Sequence, residues 1–155
     1  MLLKDEVQML RQLPLFARVD PSRLKLLAFA SDRVTYCKGD VLFRQGDPGD
    51  AAYVILEGRA EVLTESAGGP LKVAEVERNA IVGEIAILCD VSRTATVQAA
   101  TPLEALRIRK DVFLKMLTDF PDITIEVMRE LAQRLSQTTT ELAEARSRAA
   151  AAAKT

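Results

Sequence analysis

The chain has 155 residues, 48% of them hydrophobic, with 21 basic and 22 acidic side chains. That is the length of one domain and enough for a core without disulfide or metal staples. The charges nearly cancel and form no long basic stripe, which removes the footprint of a nucleic-acid binder. Histidine is absent, and with it the usual metal ligand, general base and proton shuttle, so most hydrolytic and metal-dependent chemistries lose their central residue.

The first ten residues carry acids within the opening turns and lack both a long apolar run and a small-residue cleavage site, so neither a signal peptide nor a membrane span is expected. Residues 3–30 read as helical, with a break at Pro14 and a restart at Asp20-Pro21. There Asp20 is placed to cap and Pro21 to take the first helical position. Leu24, Leu27 and Ala28 mark the apolar face after the restart.

From residue 31 to 109 the texture changes to short alternating or apolar runs divided by turn residues. Strands are expected at 34–37, 41–43, 51–56, 59–64, 71–76, 94–99 and 103–108, with Ser66 to Pro70 as a hairpin loop. Many short strands with frequent turns suggest a roll or sandwich. Within this region Cys37 and Cys89 stand alone, without disulfide or metal-ligand spacing, which points to a reducing, cytoplasmic setting.

Residues 110–155 return to helix: 111–120 first, then a new start at Pro121 and a run without Gly or Pro to about Ala150. Met128, Leu131, Leu135, Thr138, Leu142, Ala145 and Ala149 alternate three and four apart, the spacing of a coiled-coil seam. The same run also fits a helix whose early part packs on the strands and whose alanine-rich end stands in water.

The segment 81–97 carries the candidate chemistry. Gly83 permits close backbone approach, and the amides of Ile85 and Ala86 in the following turn are anion donors. Arg93 adds a guanidinium fork for phosphate oxygens, with Thr94 and the Ala95 amide as further donors. Glu84 suits a sugar hydroxyl, since a carboxylate accepts from an OH and repels a phosphate. On spacing alone a plainer reading stands beside this one, in which Glu84 and Arg93 form an ordinary ion pair and Gly83 only allows a turn.

Gly83 to Leu88 followed by Arg93-Thr94-Ala95 resembles the phosphate-binding cassette of the cyclic-nucleotide-binding domain family, the type found in catabolite activator proteins, kinase regulatory subunits and nucleotide-gated channels. Gln45 to Asp50 and then Tyr53 to Gly58 are similar to the family's glycine-rich turn and strand, and the Pro14-Leu15-Phe16 opening and the Thr101-Pro102 turn fit as well. The resemblance implies an α+β fold: an eight-stranded, jelly-roll-like β-roll flanked by N-terminal helices and long C-terminal helices. In domain terms these are residues 1–30, 31–109 and 110–155 of one unit.

It further implies that Arg93 pairs with a cyclic phosphate, Glu84 takes the ribose 2′-OH, Ala86 and Ala95 give amides, and Gly83 and Ile85 shape the cassette. Val82 departs from the family's frequent Phe, which bears on packing. Gly46, Gly49 and Gly58 are assigned to turns. A hydroxyl at Thr94 resembles domains that bond the guanine amino group, although cAMP-responsive members also carry Ser or Thr there, and cAMP is favoured over cGMP. Arg134, Thr138 and Thr139 lie in a segment similar to the long dimer helix of the catabolite activator protein, which makes them candidate purine or lid residues.

The implied function is a non-enzymatic sensor without cofactor or metal, whose ligand is cAMP or cGMP and whose C-terminal helices move on binding. Its output passes to an effector protein, to an output domain, or through a homodimer of the C-terminal helix. The alternative is a degenerate, ligand-free interaction or dimerisation module of the same fold. A cupin-like catalyst would need histidines that the chain lacks, and a haem sensor would be left with a cysteine as its axial ligand.

Overall fold

The computed structural model describes residues 3–13 and 16–153; the expected break at Pro14 and the Pro14-Leu15 part of the opening motif lie outside them. Asp20 accepts from the Ser22 amide at 3.0 Å and caps α2 (Pro21–Ala30), with proline in the first turn as expected. The helix α1 (Leu3–Arg11) precedes it, and Leu24, Leu27 and Ala28 are its buried face.

Eight strands follow among the described residues: β1 (Asp32–Tyr36), β2 (Val41–Phe43), β3 (Ala51–Glu57), β4 (Ala60–Ser66), β5 (Gly69–Val76), β6 (Ile81–Val82), β7 (Thr96–Ala99) and β8 (Leu103–Arg109). They form two antiparallel four-stranded sheets, ordered β1-β8-β3-β6 and β2-β7-β4-β5. A five-residue helix α3 (Glu84–Leu88) interrupts the strands, and α4 (Lys110–Asp119) and α5 (Pro121–Ala153) close the chain. The expected eight-stranded roll with flanking helices is therefore the fold observed.

Three details differ from the sequence reading. The hairpin loop expected over Ser66 to Pro70 contracts to two residues, because Ser66 pairs with Gly69 and Glu65 with Pro70; Gly69 takes the positive φ of 104° that so tight a turn demands. The strand expected at 94–99 begins at Thr96, leaving Thr94 and Ala95 in the loop. The strand β6, not anticipated as one, pairs only through Tyr53↔Val82 and Val54↔Ile81.

Two apolar layers hold these elements. Ala51, Tyr53 and Ile55 of β3 face the second sheet and meet Leu42, Val82 and Val97. Ala52, Val54 and Leu56 face the other way and meet Leu24 of α2, Phe113 of α4, and Ile123 and Val127 of α5. β3 is buried on both faces, which is why it reads as a continuous apolar run and not as an alternation. Gly58, at φ 90°, closes the turn after it where a Cβ would sit 2.3 Å from the Pro102 carbonyl oxygen. β5 forms the outer edge of its sheet, with Leu71 and Val73 half-exposed.

α5 runs unbroken for 33 residues. Only its first turns are packed: Ile123 and Val127 are buried and Leu131 partly so, while Met128, Leu135 and Leu142 are exposed. No helix among the described residues is long and apolar enough to cross a membrane. Phe113, fully buried between α2 and β3, is expected to lower unfolding stability by about 3–5 kcal/mol when changed to Ala, whereas Leu142→Ala should fall within about 0.5 kcal/mol; urea unfolding of the two variants checks the contrast.

Candidate functional site

Gly83 follows β6, and its φ of 83° turns the chain into α3. A Cβ here would stand 2.7 Å from Nη1 of Arg93 and 3.2 Å from both the Ala51 oxygen and Cε2 of Phe43, so glycine is required by conformation and by space. No side chain caps α3, which leaves its first amides unclaimed by a capping group. Gly49 has a similar duty: a Cβ on it would lie 2.5 Å from Cβ of Ala86, so the chain entering β3 can pass directly against α3.

Arg93 is 2% exposed. Its Nη1 donates to the Gly83 carbonyl at 2.7 Å, and its Nη2 donates to the Ala51 carbonyl at 2.6 Å and to Asp50 at 3.3 Å. Its guanidinium carbon lies 4.1 Å from the centroid of the Phe43 ring. Nε has no partner. The Gly46-Asp47 turn fixes the backbone: Gly46 N–H donates to the Arg93 carbonyl, and Arg93 N–H to the Asp47 carbonyl, each at 2.8 Å. This is a position held from every side, with Nε the one guanidinium nitrogen left without a partner.

Glu84 is 1% exposed, and it does not pair with Arg93. Its Oε1 accepts from Nη1 of Arg134 at 3.1 Å, while Oε2 is buried without a partner. Burial pushes its carboxyl above the usual 4.5, with the Arg134 charge opposing the shift. Arg134 also donates to the Ile81 carbonyl and, at 2.9 Å, to Glu130, which accepts from the Ile81 amide at 3.2 Å. The two α5 residues thus supply partners for backbone groups that so short a strand leaves open. The ordinary Glu84–Arg93 ion pair is corrected accordingly: each charge has a different partner.

Gly83, Glu84, Ile85, Ala86, Arg93, Thr94 and Ala95 line one cavity of about 80 Å³ together with Arg134, Phe43 and three valines. Thr138 instead lines an adjoining groove of about 360 Å³ against β5. Thr139 lines neither of them and donates its hydroxyl to the Leu135 carbonyl. A larger cleft of about 720 Å³ lies between α5 and residues 75–80. The smaller cavity is nevertheless the candidate site, because two of the three unpartnered buried side-chain atoms, Oε2 of Glu84 and Nε of Arg93, belong to residues that line it, the third being Oγ of Ser31, while the cleft's Glu126–Arg129 and Glu130–Arg134 charges are already paired. Arg134 borders all three spaces.

Phe43, Asp50 and Glu130 were not anticipated from sequence. Only Glu130 carried a local signal, its four-residue spacing from Arg134. Among the described residues no cluster of His, Cys, Asp or Glu could hold a metal ion, and both cysteines are free and exposed.

The cyclic nucleotide-binding domain family matches residues 33–120. Among curated relatives, a lysophospholipase nte1 of Aspergillus fumigatus is 34% identical over 116 residues, 74% of this chain and 8% of that protein. The cAMP-dependent protein kinase regulatory subunit of the same organism is 33% identical over 114 residues, again 74% of this chain and 27% of the relative. A solved cAMP-binding acyltransferase from Mycobacterium smegmatis superposes with a TM-score of 0.77 at 34% identity, covering 88% of this chain and 42% of its own. The chain thus spans only a small part of the curated relatives that it matches.

The raised pKa of Glu84 has a measurable consequence. Relative to the unfolded chain, where the value of 4.5 applies, its contribution to stability is fully present below that pH and is lost as pH rises through the folded pKa. Glu84→Gln removes the titration, so the stability difference, wild type minus variant, should move in favour of the wild type as pH is lowered from 7 toward 4.5; urea midpoints across that range report it.

Proposed function

The chain belongs to the cyclic nucleotide-binding domain family, and we propose that it is a sensor for a cyclic nucleotide, cAMP in preference to cGMP, and catalyses nothing itself. The observation that carries this reading is that two residues lining one cavity each hold a buried polar atom without a partner, Oε2 of Glu84 and Nε of Arg93. A cyclic phosphate answers an arginine N–H beside the uncapped amides of α3, and a ribose hydroxyl answers a carboxylate oxygen. Residues Gly83, Ile85, Ala86, Thr94 and Ala95 complete the cassette in this reading. The preference for cAMP is supported by the names of the kinase and acyltransferase relatives.

A whole nucleotide needs more room than about 80 Å³. Arg134 divides that cavity from the groove bordered by Thr138. A ribose hydroxyl on Oε2 of Glu84 takes up part of the carboxylate charge that Arg134 answers through Oε1, and so weakens the hold of Arg134. Release of Arg134 would join the two spaces, admit the purine toward Thr138, and free α5 from its hold on Ile81. A ligand shifts a conformational equilibrium only through such differential contacts. The N-terminal helices, the roll at 31–109 and the helices at 110–155 act as one unit, signalling through α5 to an effector protein, an output domain or a second copy, in a cytoplasmic setting.

A second reading, a ligand-free interaction module, is favoured by the fact that Glu84 already has a partner in Arg134. Calorimetric titration with cAMP and then cGMP separates the two. The sensor requires saturable binding at micromolar concentration or tighter, stronger for cAMP, with at least a hundredfold loss in Arg93→Ala; folded wild-type protein that gives no heat with either nucleotide selects the interaction module. Movement of α5 is read separately by spin labels at Cys37 and at an Ala145→Cys site, with Cys89→Ser. The distance distribution should shift on adding cAMP, and an unchanged distribution in the saturated protein excludes the helix mechanism.

A further inference from the structure

We infer that Phe43 is a positioning residue for the anion site: its ring carries the Arg93 guanidinium and sets the plane of the unpartnered Nε–H beside the cavity. The inference rests on the sensor reading given above and extends it to a residue far from the cassette in sequence.

An arginine side chain has several rotatable bonds, and its donors lie in one plane. The Gly83 and Ala51 carbonyls and Asp50 take donors on Nη1 and Nη2, that is, at the distal end of the group. Those acceptors fix where that end sits. What limits rotation of the plane is whatever lies against its face, and the Phe43 ring lies there, 4.1 Å from the guanidinium carbon. The contact is largely shielded from water, since Arg93 is 2% exposed, and a cation on a ring face is stronger when desolvated.

Phe43 is itself held in two ways. Its ring is backed by buried Tyr53, with centroids 5.8 Å apart and planes inclined by 31°. Its strand is also irregular at this point. Val41 pairs with Gln98, so a regular antiparallel register would set Phe43 opposite Thr96, yet it stands opposite Val97. A bulge of this kind re-aims a side chain, and here the ring ends on the cavity wall beside Gly83. A stack of Tyr53, Phe43 and Arg93 thus runs from the core to the anion site, and an aliphatic residue of similar bulk would fill the space without orienting the cation.

The test replaces Phe43 with mono-, di- and trifluorinated phenylalanine, which keep the ring's shape while draining its face of negative charge, and with Leu. The cAMP dissociation constant should rise stepwise along the fluorinated series, and about tenfold in Phe43→Leu, with melting temperature constant along the series. Equal affinity across the fluorinated proteins overturns the inference. A readout independent of ligand is the Arg93 Hε resonance, which the ring beneath should shift upfield in wild type and release in Phe43→Leu. If the wild type binds no nucleotide, the sensor reading fails, and this resonance alone decides whether Phe43 positions Arg93; an unshifted Hε in wild type overturns it.

Discussion

Arg93 is a full positive charge removed from water, and the architecture around it follows from making that tolerable. Burying an ion costs several kcal/mol after relaxation unless its donors find acceptors. The acceptors used are chiefly main-chain carbonyls of Gly83 and Ala51, which cannot be lost by a side-chain rotation. This ties the arginine to the geometry of β3 and of the β6–α3 turn at once. The requirement explains why Gly83 must be glycine, and why the Gly46-Asp47 turn grips the Arg93 backbone from the other side. Asp50, itself well exposed, adds a negative charge that Arg107 shares, so the carboxylate stands at the solvent end of a chain of charges.

Glu84 presents the complementary problem. A carboxylate buried to this degree is costly with one oxygen unpaired, and its raised pKa is the same fact expressed as proton affinity. The counter-charge comes from Arg134, fifty residues later on a different element. The β-roll and α5 are therefore joined by more than apolar packing at Ile123 and Val127: a polar clasp at Glu84 and Ile81 sits one to two turns further along the helix. Apolar packing is tolerant of small slides, whereas a clasp of directional bonds has an engaged and a disengaged state, which is the kind of element a switch needs.

Much of this was legible in the sequence because it is written in local chemistry. Asp20-Pro21 and Pro121 announce helix starts by capping and by proline's fixed φ, and the seven longer strands declare themselves by alternation or by apolar runs between turn residues. The glycine, acid, arginine and alanines of the cassette do come together on one cavity. The losses have physical reasons too. Two residues are too few to display a period, so β6 was invisible. Carbonyl acceptors belong to every residue alike, so nothing in the sequence marks Ala51 as a partner of Arg93. Phe43 reads as one more strand aromatic until the irregular register turns it toward the guanidinium. Thr138 and Thr139 look equivalent as neighbours, yet the 100° between successive helical residues puts only the first on the groove.

The edge position of β5 matters beyond the site. An exposed edge with two half-open apolar residues, Leu71 and Val73, is a template on which another chain can add a strand. The strand carries its own deterrents in Pro70, which has no N–H to offer, and Lys72, whose charge is engaged by Glu75 and Glu61 on the same sheet. The roll can therefore leave an open border beside its groove and still resist growing into a continuous intermolecular sheet.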